Sequence, residues 1–233
     1  MLIGGMPHPA GQKDPLFSNV KLLLGFDANN AVDESGRGNN FTTYAFAQPT
    51  TTIKKFGTHS LYTQGTGTSA DRTSTLDFDI PVSTPFCIEM WFYRLTGGGT
   101  EQALFSNGYV NPTPGYQLRY NQTNGQLVFV YFQAGGTSVG YFSDTINLAA
   151  NTWHHVGIER DSSNVIRFLH NGSTSGAVTN GAASQVTTAK DSIGGTADGS
   201  RSLTGYLDEV RITVGAHRYG GTYAVPTSAF PRS

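Results

Sequence analysis

Phe86-Cys87-Ile88-Glu89-Met90-Trp91-Phe92-Tyr93 is the stretch on which the fold turns. It is apolar and aromatic, with no Gly or Pro, and reads as a strand. Successive strand side chains point to opposite faces. Phe86, Ile88, Met90 and Phe92 therefore share one face, and Cys87, Glu89, Trp91 and Tyr93 share the other. Both faces are mostly apolar, the pattern of a central strand covered on each side. Glu89 on such a face is expected to be a hydrogen-bonded core or groove residue.

Working outward, further strands are expected at Val20–Asp27, Gln102–Ser106, Tyr116–Tyr120, Gln126–Gln133, Thr137–Phe142, Trp153–Arg160, Asn164–His170 and Leu203–Val214. Asn124-Gly125 suits a hairpin turn, and Gly135-Gly136 marks the next reversal. Residues 173–199 are small and polar, with Ile193 the main apolar anchor, and predict weak strands and loops. Strands recur about every 8–12 residues, and no helical period is present. Residues 1–19 contain Pro7, Pro9 and Pro15 among glycines and predict an extended N-terminal arm. A single all-β domain over residues 20–233 follows it.

Composition agrees. The 233 residues include 29 Gly and 10 Pro, 12% are aromatic and only 13% are charged, about half the usual charged share. This disfavours a helical bundle and intrinsic disorder. A net charge of −1 gives no footprint for nucleic acid or an anionic membrane, and the lysines are scattered. No segment approaches the ~20 apolar residues of a membrane-spanning helix. The N-terminus lacks the pattern of a secretory signal, so the expectation is synthesis in a host cytoplasm. The single Cys87 excludes an intrachain disulfide and reads as a buried, inert thiol.

Four segments occur in a telling order: Leu22-Leu23-Leu24-Gly25-Phe26-Asp27, Asp33-Glu34-Ser35-Gly36-Arg37-Gly38-Asn39, Trp153-His154-His155-Val156 and Gly205-Tyr206-Leu207-Asp208-Glu209-Val210-Arg211. Lys55-Phe56-Gly57 and Ser60-Leu61-Tyr62 fall between the second and third. This order resembles the laminin G-like members of the concanavalin A-like lectin/glucanase superfamily. The resemblance implies a jelly-roll sandwich of two antiparallel sheets. The ending Arg218-Tyr219, Pro226-Thr227 and Phe230-Pro231, with the entry Asp14-Pro15-Leu16-Phe17-Ser18-Asn19-Val20, is similar to tailed-phage virion proteins.

That resemblance carries the functional expectations. The first is a non-enzymatic virion surface protein, a capsid decoration or fibre component. Its arm would dock on neighbouring virion proteins through Pro7, Pro9, Pro15 and Phe17. The alternative is a carbohydrate-binding adhesion module for cell-surface or mucus glycans, and a homo-oligomer such as a trimer suits either. A glycoside hydrolase or lyase is the third reading. Retaining glucanases of this fold resemble one another in Glu-x-Asp-x-x-Glu, but here Glu159-Arg160-Asp161-Ser162-Ser163-Asn164 puts Asn164 at the second acid. The adjacent His154 and His155 point to opposite faces and cannot chelate one ion. The resemblance implies a structural calcium held by Asp27 and Asp208, with oxygens from the turn at Gly36, Gly38 and Asn39. A glycan site is expected on the loop bearing Asn107, Tyr109, Asn111 and Tyr116, where aromatic and amide groups coincide, with Tyr131 and Tyr141 nearby.

Overall fold

The computed structural model describes residues 13–108, 114–132, 137–179 and 190–233. The described residues form fifteen strands. In chain order, β1 is Val20–Leu24, β2 Thr42–Tyr44, β3 Gln48–Thr50, β4 Ser60–Thr63 and β5 Ser69–Thr73. The long central strands are β6 (Phe86–Arg94), β7 (Glu101–Asn107), β8 (Gly115–Asn121), β9 (Gln126–Phe132) and β10 (Ser138–Phe142). The last five are β11 (Trp153–Arg160), β12 (Val165–His170), β13 (Ser173–Thr179), β14 (Lys190–Ile193) and β15 (Gly205–Val214).

Two antiparallel sheets result. The eight-stranded sheet runs β13-β12-β11-β6-β15-β4-β3, with β1 also paired to β15. The seven-stranded sheet runs β10-β9-β8-β7-β14-β5-β2. β6 is central and alternates as expected: Phe86, Ile88, Met90 and Phe92 enter the main core. They meet Phe105, Tyr116, Leu118 and Phe129 of the other sheet within one cluster, the interdigitation of two inner faces that defines a sandwich. Cys87 is buried and free on the opposite face, against Leu169 and Tyr223.

β15 solves a patterning problem. Strict alternation through Leu207-Asp208-Glu209-Val210-Arg211-Ile212 would put Glu209 and Arg211 in the core beside Leu207. A bulge intervenes: Asp208 pairs with Trp91, but the next register pair is Arg211 with Glu89. Glu209 adopts φ of 50° there, a left-handed conformation rare for a residue with a Cβ. Leu207, Val210 and Ile212 thus all face the core, and the charged residues face out.

Those outward charges are covered by the chain ends. Glu89 is fully buried and accepts from Arg211 Nε and Nη2 at 3.0 and 2.8 Å and from the Tyr219 hydroxyl at 2.6 Å. It also shares a 3.1 Å hydrogen bond with His155, whose other ring nitrogen meets the Tyr223 hydroxyl at 2.8 Å. Asp14 pairs with Arg211 and Arg218 at 3.2 and 2.8 Å, and the Phe230 ring lies 3.7 Å from the Arg211 guanidinium. Burial alone would raise the Asp14 and Glu89 carboxyls, but these arginines, joined at Glu89 by His155, hold both below the ordinary carboxylate range.

This corrects the boundary of the arm. Asp14 is buried, and half-buried Phe17 packs on Val20, Leu23 and Phe230, so both belong to the domain and not to an extended arm. Pro15 is exposed. Pro7 and Pro9 lie outside the described residues.

Candidate functional site

Beside the sealed patch, the outer face of the eight-stranded sheet carries a row of aromatic side chains. Tyr62, Tyr206, Tyr93 and Trp153 occupy consecutive positions across β4, β15, β6 and β11: Tyr206 is in register with both Tyr62 and Tyr93, and Tyr93 with Trp153. Their neighbours Leu61, Leu207 and Phe92 face the core, so alternation places the four rings outside. Ring centroids are 4.9 Å apart for Tyr62 and Tyr206, 5.8 Å for Tyr206 and Tyr93, and 5.4 Å for Tyr93 and Trp153. The interplanar angles, 36°, 84° and 66°, make a corrugated strip instead of a flat plate. Tyr62, Tyr93 and Trp153 are half-buried and Tyr206 is 8% exposed. Exposed Gln48 extends the row, paired with Tyr62.

One border of the strip is the segment before β4. Asp208 accepts from the backbone N–H of Lys55 and Phe56 at 2.8 and 3.1 Å, which lays both side chains over Trp91. Lys55 Nζ stands 3.9 Å from that ring's centroid and the Phe56 ring meets it edge-on at 5.8 Å. Asp27 anchors the following turn through the N–H groups of Thr58 and His59. Gly57 has φ of 57°, and a Cβ there would stand 2.1 Å from the Asp27 carboxylate, so only glycine fits.

The other border is a cleft of about 200 Å³ where the tyrosine strands run out. It is lined by Gly65 and Thr66 beyond β4, Gly98 and Gly99 beyond β6, and Gly199, Ser200, Arg201, Ser202 and Thr204 before β15, with Glu101. Glu101 accepts from Arg119 and Arg201 at 2.9 and 3.0 Å, so its charge is balanced. Arg119 Nε continues inward to Gln117, which donates to Ser106 at 3.1 Å. Glycine walls with hydroxyls and one fixed carboxylate offer hydrogen bonds to a polyhydroxylated ligand; the aromatic strip offers stacking.

The described residues of the sequence-predicted glycan site, Asn107 and Tyr116, lie away from this strip. Tyr116 is fully buried and donates its hydroxyl to Phe78 O at 2.7 Å. Asn107 is fully buried and donates to Asp191 at 2.8 Å. Neither reaches solvent, because even-numbered β8 positions and the end of β7 face the core. Tyr109 and Asn111 fall outside the described residues. Tyr131 is buried and Tyr141 half-buried against the core. The signal that would have found the strip is the shared outward parity of Tyr62, Tyr93, Trp153 and Tyr206, legible only once strand register is known.

Of the five residues expected to hold calcium, Asp27 and Asp208 accept from backbone N–H groups of residues 55–59, and Gly36, Gly38 and Asn39 belong to a turn closed on Asp33. Gly36 and Gly38, at φ of 80° and 75°, turn the chain around Asp33, which accepts from Leu23 N, Ser35 N, the Ser35 hydroxyl and Asn39 N. The Asn39 side chain donates to Lys21 O and Asp77. Asp208 takes backbone N–H groups on both oxygens, where a cation would otherwise sit. Among the described residues no group of three His, Cys, Asp or Glu side chains is arranged to hold a metal ion. The histidines part as expected, His155 to Glu89 and His154 to Ala149 O and His170.

Comparison with known proteins places the fold. A search of curated proteins finds no match. Among solved structures, the binding domain of Paraclostridial Mosquitocidal Protein 1 aligns with a TM-score of 0.66 and 16% identity, over 87% of this chain and 50% of that one. Domain 4 of AbnA, a GH43 extracellular arabinanase from Geobacillus stearothermophilus in complex with arabinotriose, aligns at 0.67 and 17%, over 85% and 93%. The botulinum neurotoxin serotype D binding domain aligns at 0.62 and 12%, over 87% and 49%. The chain spans about half the length of the toxin binding domains it matches. Residues 64–216 match the model of one family, and with the two-sheet topology this shows that the chain belongs to the concanavalin A-like lectin/glucanases superfamily.

Proposed function

We propose that the protein is a non-enzymatic carbohydrate-binding module that takes a glycan along the aromatic strip and into the adjoining cleft. The observation that carries the reading is the row Tyr62, Tyr206, Tyr93 and Trp153 across four neighbouring strands. Aromatic faces stack on the apolar faces of sugar rings, and Gln48, Ser200, Thr204 and Glu101 supply hydroxyl partners at the margins. The corrugation suits a single flexible chain better than a crystalline surface. An arabinanase domain in complex with arabinotriose, and toxin binding domains, share the fold and support a binding role. The carboxylates considered for catalysis support it too: Glu159 is buried and accepts three backbone N–H groups from Arg218, Tyr219 and Gly220, and Glu89 lies under the same tail.

The test is calorimetric titration of the chain with arabinotriose and a panel of soluble oligosaccharides, alongside Trp153→Ala and Tyr93→Ala. Saturable binding weakened about tenfold in each variant, equivalent to about 1.4 kcal/mol, is the expected result. Binding unaffected by both substitutions would overturn the site.

A second reading sets the module on the surface of a tailed-phage particle, alone or as an oligomer. It is favoured by the resemblance of the entry at Asp14–Val20 and the ending from Arg218 to virion proteins. Peptide mass spectrometry on purified particles, counting copies against the major capsid protein, tests it; absence from particles would remove it.

A further inference from the structure

At the opposite end of the sandwich from the cleft, Arg160 points between the sheets, two residues beyond the core residue Ile158. It is fully buried, the largest side chain so placed. Nε and Nη2 donate to the backbone carbonyls of Thr84 and Pro81, at 2.7–3.0 Å, and the Phe86 ring lies 5.3 Å from the guanidinium. Nη1 has no hydrogen-bond partner among the described residues. No carboxylate neutralises the group: Asp161, next in sequence, is engaged by Arg167 at 2.6 Å, and the segments outside the described residues contain no Asp or Glu. A guanidinium stays protonated under all ordinary conditions. A buried charge without a counter-ion is costly, which is why such charges are nearly always paired.

The facing sheet presents a matching group. Tyr131 is fully buried on the inner face of β9, its ring 6.0 Å from that of Tyr141, and its hydroxyl is also unpartnered among the described residues. The Phe86 ring beneath the Arg160 guanidinium packs on Phe129 with centroids 5.6 Å apart, and Phe129 meets the Tyr131 ring at 4.7 Å. Two donors without a partner among the described residues, one of them permanently cationic, thus share one end of the interior. We infer that Arg160 Nη1 and the Tyr131 hydroxyl bind a small oxyanion, a carboxylate or phosphate group, which supplies the missing counter-charge. This does not depend on the glycan reading, whose residues lie at the other end.

The test is thermal melting of the full chain in sodium phosphate, acetate and chloride at equal pH and ionic strength, with Tyr131→Phe in parallel. That variant keeps the ring and removes only the hydroxyl, so it folds where an Arg160 replacement could fail. A saturable rise over chloride is expected in phosphate or acetate, and the responding salt identifies the group. Tyr131→Phe is expected to raise the half-saturating concentration about tenfold, the effect of losing one hydrogen bond to a charged partner. Identical melts in the three salts, or the same half-saturation in Tyr131→Phe, would overturn the inference and leave ordered water as the partner of both groups.

Discussion

Asp14 shows how much one residue can hold. Its carboxylate, 1% exposed, pairs with both Arg211 and Arg218, and its backbone N–H reaches Ser233 O at 2.8 Å. Asp14→Asn leaves two buried guanidinium groups sharing only Glu89, and the expected cost is about 3–5 kcal/mol, read by urea denaturation. A loss below about 1 kcal/mol would mean that solvent reaches the arginines. Acid titration tests the same network. Asp14 and Glu89 have folded values held below the ordinary range, so their stabilisation is complete above that range and is lost as pH falls through it. Asp191 runs the other way: burial, opposed by Ser74, Arg72 and Asn107, pushes it up to about 7. Its contribution is full below about pH 4 and declines as pH rises towards 7. A steep acid limb below about pH 4 with a shallow decline from 4 to 7 is therefore expected; burial also pushes Asp208 up to about 7, so Asp191→Asn should reduce the decline and leave the part due to Asp208. A profile with no acid limb would contradict the pairing.

Among the elements, the long strands were legible and the short ones were not. β6 follows from a long apolar and aromatic run without Gly or Pro, and the observed β11, Trp153–Arg160, coincides with the expected strand. β2, β3, β4 and β5 have three to five residues each and are rich in Thr, Ser and Gln, too short and polar for a period to register. The bulge in β15 was hidden because its only sequence trace is two acidic residues where alternation calls for one. The Gly36–Asn39 turn was recognised, but Asp33, the acceptor that closes it, was not singled out. Because Asp208 and Asp33 are already occupied by N–H donors, added calcium or EDTA is expected to leave the melting temperature unchanged. A calcium-dependent rise abolished by Asp27→Ala would show a site that these contacts do not reveal.

At the scale of the molecule, the two outer halves of the eight-stranded sheet have divided duties. One half is sealed by the chain ends through charged and aromatic contacts, and the other keeps its aromatic strip half-open. The sandwich was foreseeable from strand count and spacing. The strip was not, since Tyr62, Tyr93, Trp153 and Tyr206 are scattered over 145 positions of sequence and meet only through register. A boundary follows from the same division: removal through Asn19 takes Asp14 and Phe17 and is expected to lower the melting temperature markedly. A melt equal to that of the full chain would mean that the contacts of Asp14 and Phe17 contribute nothing.

The most direct measurement is a screen of immobilised glycans, arabinan and other polysaccharides among them, with the intact chain and a Tyr93→Ala/Trp153→Ala double variant of unchanged melting temperature. Retention of the intact chain on a defined set of glycans, lost in the double variant, is the expected result. No retention of either protein on any glycan, or equal retention of both, would contradict a glycan-binding role for the strip.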